Sequence, residues 1–492
     1  MQAPRSCHPG TSRTGPKFGG ASFALALSYV WGHSNGHIHS ESFQLPAVLP
    51  RTIEDSIMTT QLLGHRYLWV DKFCIEQENT ANRHFQIRQM DVIYASADLT
   101  LIAAAGKDPS YGLPGVSTQR TLSFRCVTIG PATLVRYPLR SGEKIERSAW
   151  FNRAWTLQEN YLSRRRLYFT DHEVLFVCNE ADRLEVPMRH RERSYGLQKK
   201  LPKRDFSLEF NFQEAMKLLE QYTTRRLSFE SDALNALLGI LNHLRSRLHP
   251  IGSFWGIPFT VSDSDPCFLC MYWWHPKQAT RRPGFPSWSP LGWIGSIFFC
   301  KSEDQYRLSR DHVVRLRNLN GNNSNGKSLP YSSPYLEVTA YMVRLPIVDL
   351  IWSDHTYGTV LRDGQHIVLP FTIESDGFDA YVPINWDTSD IGDQGSTFAI
   401  CAITYAADRI SNPRSNIMIM ILRSHGDFYE RIGFADSVRG VRGKKFDQLS
   451  HHGGAKCSMA APKDMYSRQL NTCAAENMLW QRDAKEETIL LG

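Results

Sequence analysis

The sequence predicts an α/β domain built on a parallel sheet, followed by an α+β region that is rich in β-strands. Three observations predict this order. Apolar runs at residues 23–30, 67–70 and 99–105 alternate with amphipathic helical patterns, which is typical of βαβ units. A basic stretch poor in apolar residues interrupts the pattern after residue 180. Beyond residue 251, short strand-like segments prevail over helical ones.

The length and composition of the chain indicate more than one folded unit. Its 492 residues exceed the roughly 100–200 residues of an average domain, so two or three units are expected. The 12 Trp, 19 Tyr and 25 Phe indicate large buried cores, because disordered chains contain few aromatic residues. The net charge of +7 is too small and too scattered for a nucleic-acid binder. No nucleic-acid partner is therefore expected.

Changes in composition divide the chain into five predicted segments. They are a flexible N-terminal segment (1–22), an α/β domain (23–180), a basic linker (181–205), a helical hairpin with a β-rich domain (206–434) and a loosely ordered tail (435–492). The basic residues of the linker either are solvated or contact an acidic partner.

The predicted α/β domain begins with the apolar run Phe23–Val30, which is typical of a strand buried on both faces of a parallel sheet. The elements predicted after it are a helix between Pro50 and Gly64, the strand Tyr67–Val70, the helix Asn82–Ala97, the strand Leu99–Ala105, a hairpin or insertion within 116–147, a helix from Asn152, and the strands Arg166–Thr170 and Glu173–Cys178.

The C-terminal region is predicted to start with helices and to continue as strands. Its predicted elements are the helices Phe212–Tyr222 and Asp232–Leu244 and strands near 335–345, 366–372, 379–383, 397–405 and 416–422.

The chain is predicted to lie in the cytoplasm. No apolar run approaches the roughly 20 residues of a membrane-spanning helix. The segment Ala21–Trp31 imitates the apolar part of a signal peptide but fits a buried strand better. The ten cysteines form no disulfide framework, which favours a reducing compartment.

One cysteine pair raises the question of a metal site. Cys267 and Cys270 have a spacing that suits two zinc ligands, but a tetrahedral site needs four. Only His275 and Cys300 lie nearby in the sequence. We therefore expect no metal, and we interpret the pair as small apolar residues of a buried strand.

Candidate functional residues come from three local blocks. Signatures of phosphate-binding loops, dinucleotide-binding sites, zinc proteases and α/β-hydrolases are missing from the sequence. The blocks are ALSYVWG with Ser28 and Trp31, YLWVDKFCIEQ with Asp71, and RAWTLQE with Trp155 and Glu159 four residues apart on one helix face.

Two interpretations of these blocks are open. Open α/β sheets bind ligands beyond the carboxyl ends of their strands, so Ser28, Trp31, Asp71 and Glu159 are expected to converge on one site. In the alternative, the tryptophans only pack the rim of the sheet. The carboxylates then cap helices or pair with Arg83 or Arg153.

The same blocks resemble the three signature blocks of the fungal heterokaryon-incompatibility (HET) domain. The resemblance covers about 155 residues and comprises ALSYVWG, YLWVDKFCIEQEN with QIRQMDVIYASA and GLPGV, and RAWTLQENYLSRRRLYF, in that order. The later stretches YTTRRLSFESDALNALLGIL, FPSWSPLGW and FYERIG resemble segments that commonly follow HET domains. Within the second of these, Pro290 stands where relatives often carry Trp.

This resemblance implies a role in nonself recognition between fungal individuals. The HET domain would trigger regulated cell death as a signalling or interaction module, through protein partners of that pathway or by self-association. HET domains are also remotely similar to TIR domains, which are flavodoxin-like α/β units. Some TIR domains cleave nicotinamide from NAD with a helix-borne glutamate, and Trp155, Leu157 and Glu159 match that motif in register.

Two function classes therefore stay open, and whether the protein is an enzyme is undecided between them. One is the non-enzymatic module, with no cofactor. The other is a TIR-like NAD glycohydrolase, for which NAD is the substrate. There Glu159 would stabilise the ribosyl cation, Asp71 or Ser28 would orient the ribose, and Trp31 or Trp155 would stack on nicotinamide.

Overall fold

The computed structural model describes residues 24–32, 45–76, 80–120, 125–136, 141–178, 182–184, 208–260, 271, 273–299, 334–346, 349–352, 365–368, 371–372, 378–381, 385–388, 397–404, 417–435, 439–442 and 485–492. The predicted N-terminal segment 1–22 lies outside these residues. So does the predicted linker 181–205, apart from Asp182–Leu184.

The chain divides into two compact units with an unexpected connectivity. Unit 1 comprises Met1–Phe206 and Arg225–Leu248, whereas unit 2 comprises Ser207–Thr224 and His249–Gly492. The predicted division placed both helices after residue 206 in the C-terminal domain. The second of them belongs to unit 1 instead, because its apolar face packs against two helices of that unit.

Unit 1 is built on a six-stranded sheet. The strands in chain order are β1 (Ala24–Ser28), β2 (Tyr67–Val70), β3 (Leu99–Ala103), β4 (Arg125–Ile129), β5 (Ala132–Arg136), β6 (Arg165–Phe169), β7 (Val174–Cys178) and β8 (Asp182–Leu184). The order across the sheet is β2-β1-β3-β6-β7-β8, while β4 and β5 form a separate hairpin. Strands β2, β1, β3 and β6 are parallel, and β7 and β8 are antiparallel. The predicted adjacency of the first three strands in one parallel sheet is confirmed.

Both faces of this sheet are covered, as continuous apolar strands require. Leu25, Leu27 and Leu101 point to one side, where they pack with Ile53 of the first helix. The other side holds a second cluster that includes Ile102, Ile145, Trp150, Tyr168 and Leu175. Ser28 alternates with Leu27 along β1, so its side chain joins the second face.

Eight α-helices lie in the described residues. They are α1 (Arg51–Leu62), α2 (Asp71–Cys74), α3 (Thr80–Ile87), α4 (Met90–Ser96), α5 (Ser141–Glu146), α6 (Trp155–Leu162), α7 (Leu208–Thr223) and α8 (Asn235–Arg245). All except α7 belong to unit 1. The single helix predicted over Asn82–Ala97 is two helices. The chain breaks at Gln89, after which α4 buries Met90 and Tyr94, while Phe85 of α3 is exposed.

Unit 2 contains α7 and most of the strands. They are β9 (Ile251–Phe254), β10 (Ile257–Thr260), β11 (Trp273–Trp274), β12 (Thr280–Arg281), β13 (Trp293–Ile294), β14 (Phe298–Phe299), β15 (Leu336–Pro346), β16 (Asp349–Trp352), β17 (Gln365–Val368), β18 (Phe371–Thr372), β19 (Phe378–Tyr381), β20 (Asn385–Trp386), β21 (Thr397–Thr404), β22 (Ile417–Ser424), β23 (Tyr429–Ala435), β24 (Arg439–Arg442) and β25 (Lys485–Leu491). The largest sheet has the order β20-β23-β22-β21-β15-β25.

Two strands lie in the segment 435–492 that was predicted as a loosely ordered tail. Strand β24 pairs with β19, and β25 pairs along its length with β15. In β25 only Ile489 and Leu491 are apolar and buried, and the strand starts with four charged or polar residues. Two alternating apolar residues next to a charged stretch are too short a pattern to predict a strand from the sequence.

Unit 2 contains a buried ion pair. Arg431 donates through Nε to Asp387 Oδ2 at 2.8 Å, and neither side chain is exposed. The Arg431 guanidinium also lies 3.4 Å from the centroid of the Trp273 ring and donates to the Met271 and Trp273 carbonyls. Its contacts thus tie β23 to the chain around β11.

Candidate functional site

The candidate site lies at the carboxyl ends of the neighbouring strands β1 and β2. Strands β1 and β2 are in register at Leu27 and Val70, so Ser28 and Asp71 come next at the same carboxyl edge. Ser28 is buried, whereas Asp71 begins α2 and is partly exposed. The predicted convergence of these two strand ends therefore follows directly from the parallel register.

Glu159 reaches this edge from α6. Its side chain is only 4% exposed, and it accepts a hydrogen bond from the Ser28 hydroxyl through Oε2. The Ser28 oxygen in turn accepts a hydrogen bond of 2.6 Å from the Trp150 indole. Trp150, Ser28 and Glu159 thus form a buried chain of hydrogen bonds.

Asp71 is held beside this chain by two donors. The Trp31 indole donates to Oδ2 at 2.7 Å, and the Lys72 backbone amide donates to Oδ1 at 2.7 Å. Burial raises the pKa of Asp71 to about 6, although these two hydrogen bonds oppose the increase. Trp31 therefore contacts the carboxylate through its polar edge.

The environment of Glu159 favours its neutral form. Burial, and next the negative charge of Asp71, raise the pKa of Glu159 to about 7. The positive charge of Arg153 and the hydrogen bond from Ser28 act in the opposite direction. Because the two carboxyls interact, they titrate as a pair close to neutral pH. Such a pair can hold or release a proton under physiological conditions.

Arg153 lies near both carboxyls, but its hydrogen bond goes to the backbone. It donates through Nη1 to the Tyr29 carbonyl, at the start of the turn that follows β1. The Tyr29 hydroxyl is buried and, among the described residues, has no hydrogen-bond partner. Burial, then the charge of Asp71, raises its pKa. The alternative in which Glu159 forms a close ion pair with Arg153 is thus not the arrangement in this structure.

Trp155 has a different partner from the rest of the predicted site. It begins α6 and hydrogen bonds to the side chain of Asp232, which lies three residues before the start of α8. The structure brings Ser28, Trp31 and Asp71 together with Glu159, and it engages Trp155 elsewhere.

Three neighbours of the site were not identified from the sequence. Trp150 and the Tyr29 and Tyr94 hydroxyls all lie close to Ser28 or Glu159. Tyr94 lies within the predicted helix Asn82–Ala97, and its hydroxyl donates to the Leu27 carbonyl at 3.1 Å. Tyr29 stands inside the ALSYVWG block, which was the available signal. Nothing in the sequence singled out Trp150.

No metal site is evident in the part of the chain that the structure describes. There, no group of three or more His, Cys, Asp or Glu side chains is placed to hold an ion. Cys267, Cys270 and Cys300 lie outside the described residues. His275 is buried and bonds through Nδ1 to the Ser296 carbonyl at 2.9 Å.

Comparison with known proteins covers the part of the chain that contains this site. The model of the family "Heterokaryon incompatibility protein (HET)" matches residues 25–159, from β1 to Glu159 itself. The chain is therefore a HET domain-containing protein.

A named relative agrees with this assignment. The chain is 23% identical to "Heterokaryon incompatibility protein 6, OR allele" of Neurospora crassa, over 31% of this chain and 29% of that protein. The chain thus spans less than a third of the length of the curated relative that it matches. No solved structure matches the chain.

The raised pKa values predict a stability that falls with rising pH. The ordinary pKa of a glutamate is 4.5, and that of Glu159 is about 7, so the folded state keeps a proton that the unfolded state loses between these values. The free energy of unfolding of unit 1 should therefore decrease from about pH 4.5 to 7.

Hydrogen exchange of the β1 and β3 amides, corrected for the intrinsic effect of pH, measures this trend. Glu159→Gln cannot titrate at this position, so its stability should depend less on pH, and the remaining dependence should come from Asp71. Glu146→Gln, at an exposed position of α5, should keep the pH dependence of the parent. If the free energy of unfolding of Glu159→Gln fell with pH as steeply as that of the parent, Glu159 would not be the group responsible for the trend.

Proposed function

We propose that the protein is a fungal heterokaryon-incompatibility protein whose HET domain triggers regulated cell death as a signalling or interaction module. The observation that carries the proposal is the family match, which runs through all three sequence blocks and ends on Glu159. The name of the Neurospora relative supports the same role. The partners would be proteins of that pathway, in the cytoplasm. Among the helices that the structure describes, none is long and apolar enough to cross a membrane.

The burial of the site favours interaction over chemistry. Glu159 is 4% exposed and lies behind Ser28 and Trp150, so a substrate has no direct contact with its carboxyl in this conformation. A neutral, hydrogen-bonded carboxyl at this position can fix the end of β1 against α6. In this proposal Glu159 keeps the domain in the shape that its partner recognises.

A TIR-like NAD glycohydrolase that uses Glu159 and Asp71 is the second candidate. Its support is the strand order β2-β1-β3-β6, which is the 2-1-3-4 order of flavodoxin-like sheets. The raised pKa of Glu159 is also typical of functional carboxyls. This reaction would require Ser28 and Trp150 to move so that ribose reaches Glu159, with Trp31 near the nicotinamide.

The substitution Glu159→Gln separates the two candidates. Glutamine keeps the shape of the neutral acid and an acceptor for Ser28, but it has no charge to stabilise a cation. For the interaction module, overexpressed Glu159→Gln should kill fungal cells as the parent does. The purified parent should then release no nicotinamide from NAD.

The opposite results would support the enzyme. Loss of killing in a folded Glu159→Gln protein, together with nicotinamide release by the parent, would overturn the interaction module. Glu54→Gln, at an exposed position of α1, is the matched control and should behave as the parent in both assays. A parent that neither kills nor cleaves NAD would refute both candidates.

A further inference from the structure

The segment Arg225–Leu248, here called the strap, returns to unit 1 after the chain has passed through α7. Its start pairs with the residues that lead into α6. The Arg226 amide donates to the Asn152 carbonyl at 2.7 Å, and the Ala154 amide donates to the Arg226 carbonyl at 2.8 Å. The strap therefore begins as an extended segment that is hydrogen-bonded to the residues preceding α6.

The Arg225 side chain continues this attachment. It donates through Nη1 to Thr156 Oγ1 at 3.0 Å and to the Arg153 carbonyl at 3.2 Å. Its guanidinium lies 4.1 Å from the centroid of the Phe151 ring, a distance typical of a cation–π contact. Arg225 thus bonds to the first turn of α6 and packs beside the chain that precedes it.

A continuous set of bonds connects Arg225 to Glu159. The Thr156 hydroxyl, which accepts from Arg225, also lies 2.7 Å from the Trp150 carbonyl. The Trp150 indole donates to Ser28, and Ser28 donates to Glu159. Because these hydrogen bonds are contiguous and join packed groups, a shift of one group changes the position of the next.

The far end of the strap holds the opposite side of α6. The Gly239 amide of α8 donates to Gln158 Oε1 at 3.3 Å, next to Glu159 in the sequence. A Cβ at Gly239 would lie 2.7 Å from that oxygen and 2.7 Å from Asp91 Cβ, so only glycine allows this approach. Near the end of the strap, Arg247 donates to the Tyr161 hydroxyl at 2.8 Å.

We propose that the strap positions α6, and that Arg225 is the positioning residue through which it fixes the hydrogen-bonded group around Glu159. The family match ends at residue 159, so the strap is a part of this unit beyond the matched domain. The relevance of this positioning to cell killing rests on the proposed function.

The test compares Arg225→Ala with Arg226→Ala in the purified full chain. Arg226 makes its bonds through the backbone and has an exposed side chain, so it is a matched control one residue away. The titration of Glu159 is followed by NMR of ¹³C-carboxyl-labelled glutamate, with Glu159→Gln assigning the signal. Arg225→Ala should shift the midpoint towards the ordinary value by about one pH unit or more.

Hydrogen exchange of the α6 backbone amides should also become about tenfold faster in Arg225→Ala. Arg226→Ala should leave both quantities unchanged. A general loss of stability would not move the titration midpoint of the folded protein. If Arg225→Ala does not fold, Arg225→Lys keeps the charge but lacks the planar guanidinium over Phe151, and a smaller shift in the same direction is expected.

A folded Arg225 variant with the parent's midpoint and the parent's α6 exchange would overturn the strap proposal. Failure of the proposed function looks different. In that case the parent does not kill cells, while the shifted titration of Arg225→Ala remains.

Discussion

Replacing Arg431 with methionine is expected to lower the free energy of unfolding of unit 2 by about 3–5 kcal/mol. Methionine fills much of the volume but leaves the Asp387 carboxylate buried without its donor. The Met271 and Trp273 carbonyls lose their donors as well. Urea unfolding of the full chain, followed by tryptophan fluorescence, measures the change.

The matched control is Arg423→Met. Arg423 lies on neighbouring β22 and approaches Glu430 at 3.8 Å, but its side chain is 25% exposed. Ion pairs near the surface contribute about 0–1 kcal/mol, so this variant should unfold almost as the parent does. The double variant Arg431→Met, Asp387→Leu should recover part of the loss, because no unpaired charge remains buried. Equal effects of the two methionine substitutions would refute the central role of the buried pair.

Replacing Trp288 with alanine should cost about 3–5 kcal/mol, and replacing Trp293 should cost a similar amount. Both side chains are buried, at 0% and 1% exposure. The Trp288 ring stacks on Phe254 at 5.2 Å between centroids, and its indole donates to the Pro334 carbonyl at 3.0 Å. Alanine leaves a cavity and an unsatisfied carbonyl at once.

Thermal unfolding of the purified variants measures this loss. Trp274→Ala is the control, because Trp274 is a tryptophan of the same unit with a partly exposed ring. It should cost clearly less than either buried tryptophan. Unchanged thermal stability in both Trp288→Ala and Trp293→Ala would contradict the interpretation of this region as a packed body.

The parallel sheet of unit 1 was predictable because its strands are buried on both faces. Residues Leu25–Leu27 are fully buried, and such continuous apolar runs are distinctive in a sequence. The break at Gln89 was not predictable, since the apolar spacing from Ile87 to Ala97 suits one helix as well as two. The placement of α8 in unit 1 depends on tertiary contacts with α4 and α6. Local periodicity gives the apolar face of a helix but not its partner.

The candidate site was predictable where sheet topology alone brings residues together. Ser28 and Asp71 follow adjacent parallel strands, so the order of elements was enough to place them at one edge. Trp150 lies in an irregular stretch more than 100 residues from Ser28, and no pattern links the two. Trp155 was expected at the site because it shares a helical face with Glu159. Its bond to Asp232 comes from the strap, whose position the sequence does not reveal.

The interrupted path of the chain also constrains the order of synthesis. Domains generally fold as units while the chain emerges from the ribosome. Here the Arg153 carbonyl, the Thr156 hydroxyl and the Gln158 side chain accept further hydrogen bonds from residues 225–248. The residues of α7, which belongs to the other unit, are synthesised before residues 225–248. The HET domain therefore completes its hydrogen bonding only after synthesis of the second unit has begun, well beyond the last residue that the family match contains.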